Sequence, residues 1–93
     1  MATIQDIQAL ESKIYDVVEE YLDNREAYFT PMLVVKREPD GLEVFIEDTD
    51  CIVEGDCDME MYFMDSLVRE GCDGNEPDID RISDIANSWI FLD

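Results

Sequence analysis

Nucleophiles and bases are the first residues that a catalytic site would need, and this chain of 93 residues offers few of them. It contains no histidine, the usual general base near neutral pH. A serine or cysteine nucleophile would therefore have no imidazole to activate it. Cys51, Cys57 and Cys72 lie among acidic residues, and negative neighbours disfavour the thiolate that a reactive cysteine needs. We expect no catalytic residue and no enzymatic activity.

Acidic side chains in the middle of the chain raise a second chemistry, the binding of a divalent cation through oxygen ligands. Five of them crowd residues 48–58: Asp48, Asp50, Glu54, Asp56 and Asp58. No window fits the EF-hand loop, since a loop starting at Asp50 would have Ile52 at its third position. Zinc is disfavoured because there is no histidine and no Cys-x-x-Cys pair. We expect no metal site and no cofactor.

Negative charge is the strongest functional signal in the sequence. There are 25 Asp and Glu residues against six Lys and Arg, for a formal net charge of −19. Between Glu38 and Val68 the chain has no lysine or arginine. Nucleic acids and anionic membrane surfaces are bound through Lys and Arg, so neither is an expected partner. A basic protein surface is the partner that this charge favours.

The alternation of residues in two predicted strands indicates where the carboxylates would be presented. Side chains that alternate along a strand point to opposite faces of the sheet. If the two strands are antiparallel neighbours, the acidic positions share a solvent face, and like charges across the pair repel each other. A cationic partner would relieve that repulsion. The predicted partner-binding residues are Glu43, Glu47, Asp58, Glu60 and Tyr62.

Two functions remain open at this point. The leading hypothesis is a small acidic, non-enzymatic interaction protein, an inhibitor or antagonist that binds a basic surface. Its sharpest version is a nucleic-acid mimic, although one strand places carboxylates only every ~6.6 Å where a DNA strand has a phosphate every ~3.4 Å. The alternative is a structural or dimerisation module whose charge serves solubility alone. A homodimer would then form through the first helix or through Trp89–Leu92.

Apolar spacing predicts the elements that must position these residues. Residues 3–26 have apolar side chains every three or four positions and predict a long amphipathic helix, with Thr3 as N-cap and Pro31 preventing its continuation. Residues 32–37 and 42–47 predict a β-hairpin around a turn that contains Pro39 and Gly41. In its second strand Leu42, Val44 and Ile46 should face the core.

The second half of the chain predicts a third strand and two helices. Met59, Met61 and Phe63 recur at every second position, a pattern found more often in a core than in an exposed methionine-rich groove. A short helix is predicted over 64–70 with Gly71 as its C′ residue, followed by a loop over 72–76. A final amphipathic helix is predicted over 79–90, with Asp78 as N-cap.

The order of these elements predicts an α+β fold. A long N-terminal helix and a C-terminal helix would pack on a small antiparallel β-sheet in the order α-β-β-β-α, with an extra short helix before the last. Residues 1–93 suit a single compact domain. No secretory signal precedes the odd number of cysteines, and no apolar run approaches the roughly 20 residues that span a bilayer. We therefore expect a cytoplasmic protein with reduced thiols.

Overall fold

The computed structural model describes residues 4–52 and 59–88. Its elements in chain order are α1 (Ile4–Asp23), β1 (Pro31–Glu38), β2 (Gly41–Asp48), β3 (Met59–Phe63), α2 (Met64–Gly71), β4 (Cys72–Asp73), β5 (Glu76–Pro77) and α3 (Ile79–Ser88). Single turns of 3₁₀ helix follow α1 and β2, at Arg25–Ala27 and Thr49–Cys51. The predicted α+β class and the order of its main elements are confirmed.

Strand β1 is the centre of a three-stranded antiparallel sheet with the order β2-β1-β3. The β1–β2 hairpin pairs Glu38 with Gly41 across a two-residue turn. Pro39 restricts φ in that turn, and Gly41 adopts a φ of +141°, which other residues rarely reach. Strand β3 pairs with the other side of β1, so β2 and β3 are not neighbours.

The alternation along β1 sends its side chains to two different environments. Leu33 and Val35 are fully buried in the core beneath the helices. Ile46 on β2 and Tyr62 on β3 lie opposite Leu33 and pack against the same core. The helices contribute Leu10, Ile14, Val18, Met64, Leu67, Ile82 and Ala86 to it. Full burial of one large apolar side chain contributes about 1.5–3 kcal/mol, so this cluster holds all three helices on one face.

Helix α1 keeps a continuous apolar stripe on the sheet, as its sequence pattern predicts. Each of its buried side chains lies three or four positions from another: Leu10, Ile14, Val17, Val18 and Tyr21. The helix ends at Asp23, three residues before the predicted limit, because Asn24 has left the helical conformation with φ −141° and ψ 40°. The helix therefore ends well before Pro31. The predicted N-cap, Thr3, lies outside the described residues.

The segment from α2 to α3 departs from the sequence prediction at Gly71. Instead of a left-handed C′ residue, Gly71 is the buried last residue of α2 and has no positive φ. A Cβ at this position would lie 3.3 Å from Cγ1 of Ile82 and 3.4 Å from Cδ1 of Ile85. Glycine therefore allows the close approach of α2 and α3, and a Cβ would require the Ile82 side chain to shift slightly. The predicted loop over 72–76 contains a short hairpin, β4–β5, with Gly74 at a φ of +67°.

Asp78 is the N-cap of α3, as the sequence predicts. Its Oδ1 atom accepts hydrogen bonds from the backbone N–H groups of Asp80 at 3.0 Å and Arg81 at 3.4 Å. The backbone N–H of Asp78 also donates to the Gly71 carbonyl at 2.9 Å. Arg81 donates from Nη1 to the Cys72 carbonyl at 2.7 Å. The two bonds to Oδ1 satisfy backbone N–H groups at the N-terminus of α3. The other two bonds join this end of α3 to the end of α2.

Replacing Asp78 with alanine should lower the free energy of unfolding by about 1 kcal/mol, the usual cost of losing an N-cap. The matched control is Asp84→Ala, which removes one negative charge from an exposed position of the same helix. We expect no loss of stability in the control, because Asp84 does not cap the helix. Urea denaturation at pH 7 compares the variants. Equal changes in both would mean that net charge, and not the cap, sets the stability.

Candidate functional site

The structure describes four of the five residues that the sequence predicts to form one binding face, and it places them on two different faces. Glu43 and Glu47 lie on β2 and point away from the helices, since they pair with residues of β1 outside the main core. Glu60 and Tyr62 lie on β3 opposite core residues of β1, so they share the face that carries the helices. Asp58 lies outside the described residues. The four described residues therefore form two pairs on opposite faces, Glu43 with Glu47 and Glu60 with Tyr62.

The separation of these residues follows from which side chains of β3 point toward the helices. Period-two alternation divides a strand into two faces without stating which one is buried. The pairing of Tyr62 with Leu33 places Tyr62 inward and sends its neighbours Met61 and Phe63 outward. The expectation that the methionine and phenylalanine positions belong to the core is therefore wrong for Met61 and Phe63, which are exposed.

Tyr62 has the environment of a structural residue. Burial first, and the negative charge of Glu60 second, raise its pKa to about 12. Tyr21 behaves in the same way: burial raises its pKa to about 12, assisted by the hydrogen bond that its hydroxyl donates to Asp65 at 2.7 Å. Both phenols therefore stay protonated over the physiological pH range.

The sheet face turned away from the helices is called the outer face here. Its side chains form three rows across the strands in the order β2-β1-β3: Glu47–Met32–Phe63, Phe45–Val34–Met61 and Glu43–Lys36–Met59. The column on β3 is entirely apolar, whereas the column on β2 carries two carboxylates. Two strand spacings separate these columns, roughly 10 Å. The outer face thus changes from acidic to apolar over a short distance.

Two of the three residues of the apolar column are exposed, whereas Met59 is half-buried and lines a cavity with Ile52. Met61 and Phe63 have 41% and 55% of their surface exposed, while Val34 beside Met61 is fully buried. Leaving such side chains in water forgoes about 25 cal/mol for each Å² that burial would remove. Monomeric proteins rarely expose large contiguous apolar patches, and those that do often use them for binding. The apolar column is therefore the strongest candidate contact surface on the described part of the chain.

A cavity of about 430 Å³ opens at the free edge of β3, between the sheet and the helices. We call it the β3 groove. It is lined by residues from three elements, among them Met32, Met61 and Phe63 of the sheet, Leu67 and Glu70 of α2, and Ile85 and Ser88 of α3. Sequence reasoning missed this groove because its walls come together only through the packing of α2 and α3 beside β3.

Two carboxylates meet at the hairpin end of the outer face. A hydrogen bond between the carboxyl groups of Glu38 and Glu43, which forms when one of them is protonated, raises the pKa of Glu38. Repulsion between their negative charges acts in the same direction, and the Lys36 ammonium opposes it. Glu38 is exposed to solvent. A cation from a partner would relieve the repulsion between the two carboxylates.

Negative charge alone does not single out the outer face. Exposed carboxylates also occur along the helices, including Asp16, Glu19, Glu20, Glu70, Asp80 and Asp84. The expected concentration of charge on one sheet face is therefore only part of a wider distribution. What distinguishes the outer face is the apolar column that lies two strands away from its carboxylates.

The acidic stretch after β2 shows no metal site in its described part. Within residues 4–52 and 59–88, no three Cys, Asp or Glu side chains lie close enough together to hold a metal ion. Asp48 has a structural role instead, because its Oδ1 accepts the backbone N–H groups of Phe29 at 2.7 Å and Thr30 at 3.2 Å. The other candidate ligands, at positions 54, 56 and 58, lie outside the described residues.

The cysteines also show no catalytic arrangement in the part of the chain that the structure covers. Cys51 is exposed and Cys72 buried, and both are free thiols. Burial raises the pKa of Cys72, while Arg25 and Arg81 act against that rise. A thiol with a raised pKa is a poor nucleophile near neutral pH. Cys57 lies outside the described residues, so its predicted environment stays a prediction.

Replacing Glu43 with glutamine should lower the pKa of Glu38. The substitution removes the neighbouring negative charge and the carboxyl group with which Glu38 shares a proton. Carbon-detected NMR titration of the Glu38 carboxyl measures the change. Glu47→Gln is the matched control, because Glu47 lies two rows further along β2. An equal decrease in both variants would attribute the raised pKa to the total charge of the protein.

The raised pKa of Tyr62 predicts a loss of stability at alkaline pH. The folded protein keeps a phenol proton that the unfolded chain releases near pH 10, so unfolding releases a proton above that pH. The free energy of unfolding should therefore fall as the pH rises from about 10 to 12. Tyr62→Phe should show a smaller fall, measured by urea denaturation at several pH values. An unchanged pH profile would mean that Tyr62 ionises normally.

None of the helices within residues 4–52 and 59–88 is long and apolar enough to cross a membrane.

Comparison with known proteins finds no family model, no curated protein and no solved structure that matches this chain. The function must therefore be inferred from the chemistry of the molecule itself. Among the described residues, that chemistry consists of an acidic column and an apolar column on the outer face, with a groove beside the apolar one.

Proposed function

We propose that this protein is a non-enzymatic interaction protein that binds a basic protein through the outer face of its sheet and acts as an inhibitor or antagonist of that partner. One observation carries the proposal: Met61 and Phe63 are exposed on β3, two strands away from the carboxylates of Glu43 and Glu47. An apolar centre with a charged border is the usual composition of a protein-binding surface.

The charge of the chain supports a basic partner. With a net charge of −19, the protein attracts cationic molecules over a distance and repels anionic ones. Such attraction raises the rate of association and selects partners by the sign of their charge. The same charge repels nucleic acids and anionic membranes, so neither is the partner that we propose.

The nucleic-acid mimic version of this hypothesis receives less support from the layout of the outer face. Glu43 and Glu47 are four residues apart on β2, which corresponds to roughly 13 Å along the strand. The side chain between them on the same face is Phe45. A DNA strand carries a phosphate every ~3.4 Å, so these carboxylates are too sparse to imitate one. The proposal therefore requires only a basic protein, and not a nucleic-acid-binding one.

The alternative function is a dimerisation module, which the sequence predicts to use the first helix or Trp89–Leu92. The apolar stripe of α1 is buried in the core, and Trp89–Leu92 lies outside the described residues. A dimer through any apolar surface makes the opposite prediction for salt. Two copies repel each other through their charge, and added salt screens that repulsion and strengthens the dimer. A complex with a basic protein is held partly by attraction, which added salt weakens. The direction of the salt dependence therefore separates the two functions.

The decisive experiment immobilises the full chain, applies a cell extract, and elutes bound proteins with a salt gradient. Wild-type protein should retain basic proteins that elute as the salt rises. The double variant Glu43→Gln/Glu47→Gln should bind them roughly 2- to 30-fold more weakly, since each exposed ion pair contributes about 0.2–1 kcal/mol. Purified partners then allow the dissociation constants to be measured by titration calorimetry.

The matched control is Glu19→Gln/Glu20→Gln, which removes the same charge from exposed positions of α1. It should bind like the wild type, apart from a small effect of net charge. The proposal is wrong if both double variants lose the same affinity, or if the retained proteins are not basic. A monomer–dimer equilibrium that shifts toward the dimer as the salt rises would favour the alternative.

A further inference from the structure

We infer that the β3 groove accepts a large apolar side chain of the partner, and that the partner carries lysine or arginine on both sides of that side chain. The inference rests on the proposed function and specifies the chemistry of the segment that would be recognised. It is carried by three observations: the shape of the groove, the apolar residues that line it, and two carboxylates, Glu70 in its lining and Glu47 across the outer face.

The groove has the size and lining of a binding pocket. Its volume of about 430 Å³ lies within the range of roughly 300–1,000 Å³ that is usual for ligand pockets. Met61 and Phe63 border it with exposed surface, and Leu67 and Ile85 belong to the buried or partly buried core behind it. Methionine side chains adapt their shape to a bound group, which suits a site that accepts an anchor residue.

Two carboxylates lie near the apolar lining, one within the groove and one outside it on the outer face. Glu70 of α2 lines the groove on its helical side. On the sheet side, Glu47 lies in the same row as Phe63, with Met32 between them, so roughly 10 Å separates the two backbones. An apolar side chain seated between these carboxylates would bring its own flanking residues close to both.

No positive charge of this chain lines the groove itself, although Lys36 lines another cavity of the outer face together with Glu47. All six Lys and Arg residues lie in the described part of the chain, and none of them lines the groove: Lys13, Arg25, Lys36, Arg37, Arg69 and Arg81. A basic partner would therefore supply the positive charge that the lining of the groove lacks. Binding energy at such surfaces is usually concentrated in an apolar anchor, and the charged border sets specificity.

A second copy of this chain fits the groove less well. It would bring a further net charge of −19 toward a surface that is already negative. In a twofold contact, Glu47 and Glu70 of each copy would approach the same face of the other. Like charges placed opposite each other are destabilising, whereas lysine or arginine in the same place gains attraction. Charge complementarity therefore selects the basic segment as the occupant.

Display of random peptides against the full chain tests the inference without knowledge of the natural partner. The selected peptides should share a large apolar residue with Lys or Arg within about four positions on either side. Synthetic peptides of those sequences should bind the wild type in a fluorescence anisotropy titration. Met61→Ser and Phe63→Ser should each weaken binding roughly fivefold or more, the loss expected for a residue that contributes over 1 kcal/mol.

Phe29→Ser is the matched control, because Phe29 is 92% exposed and does not line the groove. It should bind the peptides like the wild type. Phe63→Leu should keep most of the affinity, since it preserves an apolar side chain. Circular dichroism and urea denaturation verify that each variant is folded. Glu47→Gln/Glu70→Gln should weaken binding and reduce its dependence on salt.

Several outcomes would overturn the inference. Selected peptides without basic residues, or equal losses in Phe29→Ser and Phe63→Ser, would contradict the assignment to the groove. Peptide binding that appears only after removal of residues 89–93 would identify the C-terminal segment of this chain as the occupant. A dimer that Phe63→Ser abolishes would identify a second copy.

The inference and the proposed function can fail separately. If no peptide is selected while basic proteins still bind the wild type in a salt-dependent way, the groove is not the anchor site and the proposed function stands. If basic proteins do not bind either, the two proposals fall together.

Discussion

The packing of Leu33 and Val35 beneath the helices is the constraint on which the rest of the molecule depends. These two side chains of the central strand are fully buried in the core that α1, α2 and α3 share. Because β1 pairs with both other strands, their position also sets the face to which each residue of β2 and β3 points. Tyr62 is directed inward for this reason, and Met61 and Phe63 are directed outward. The outer face is thus a consequence of how the inner face is filled.

The large negative charge shapes the surface around this core. Carboxylates occur along the helices as well as on the hairpin, which limits the repulsion at any one place while keeping the protein strongly negative. The outer face is distinct because its acidic column stands beside uncovered apolar side chains. Charge attracts a partner over a distance and apolar contact retains it, so the two columns would serve different stages of one binding event.

Local features of the sequence were sufficient for most of the fold. The hairpin follows from the alternation in its strands and from the turn that contains Pro39 and Gly41, and the start of α3 follows from Asp78. The candidate site was predictable only in part. Glu43 and Glu47 were placed together correctly, because residues on one strand share a face by their spacing alone. Glu60 was not, because its face depends on how a separate strand pairs with β1.

The sequence by itself determined the class of fold, the succession of helices and strands, and the excess of negative charge, since these depend on composition and on spacing between near neighbours. Only the tertiary structure decided which face of β3 is covered, that β1 separates β2 from β3, and that Gly71 allows α2 and α3 to approach closely. The physical reason is that alternation along a strand is symmetrical between its two faces. That symmetry is broken only by contacts between residues far apart in the chain, such as Leu33 with Tyr62.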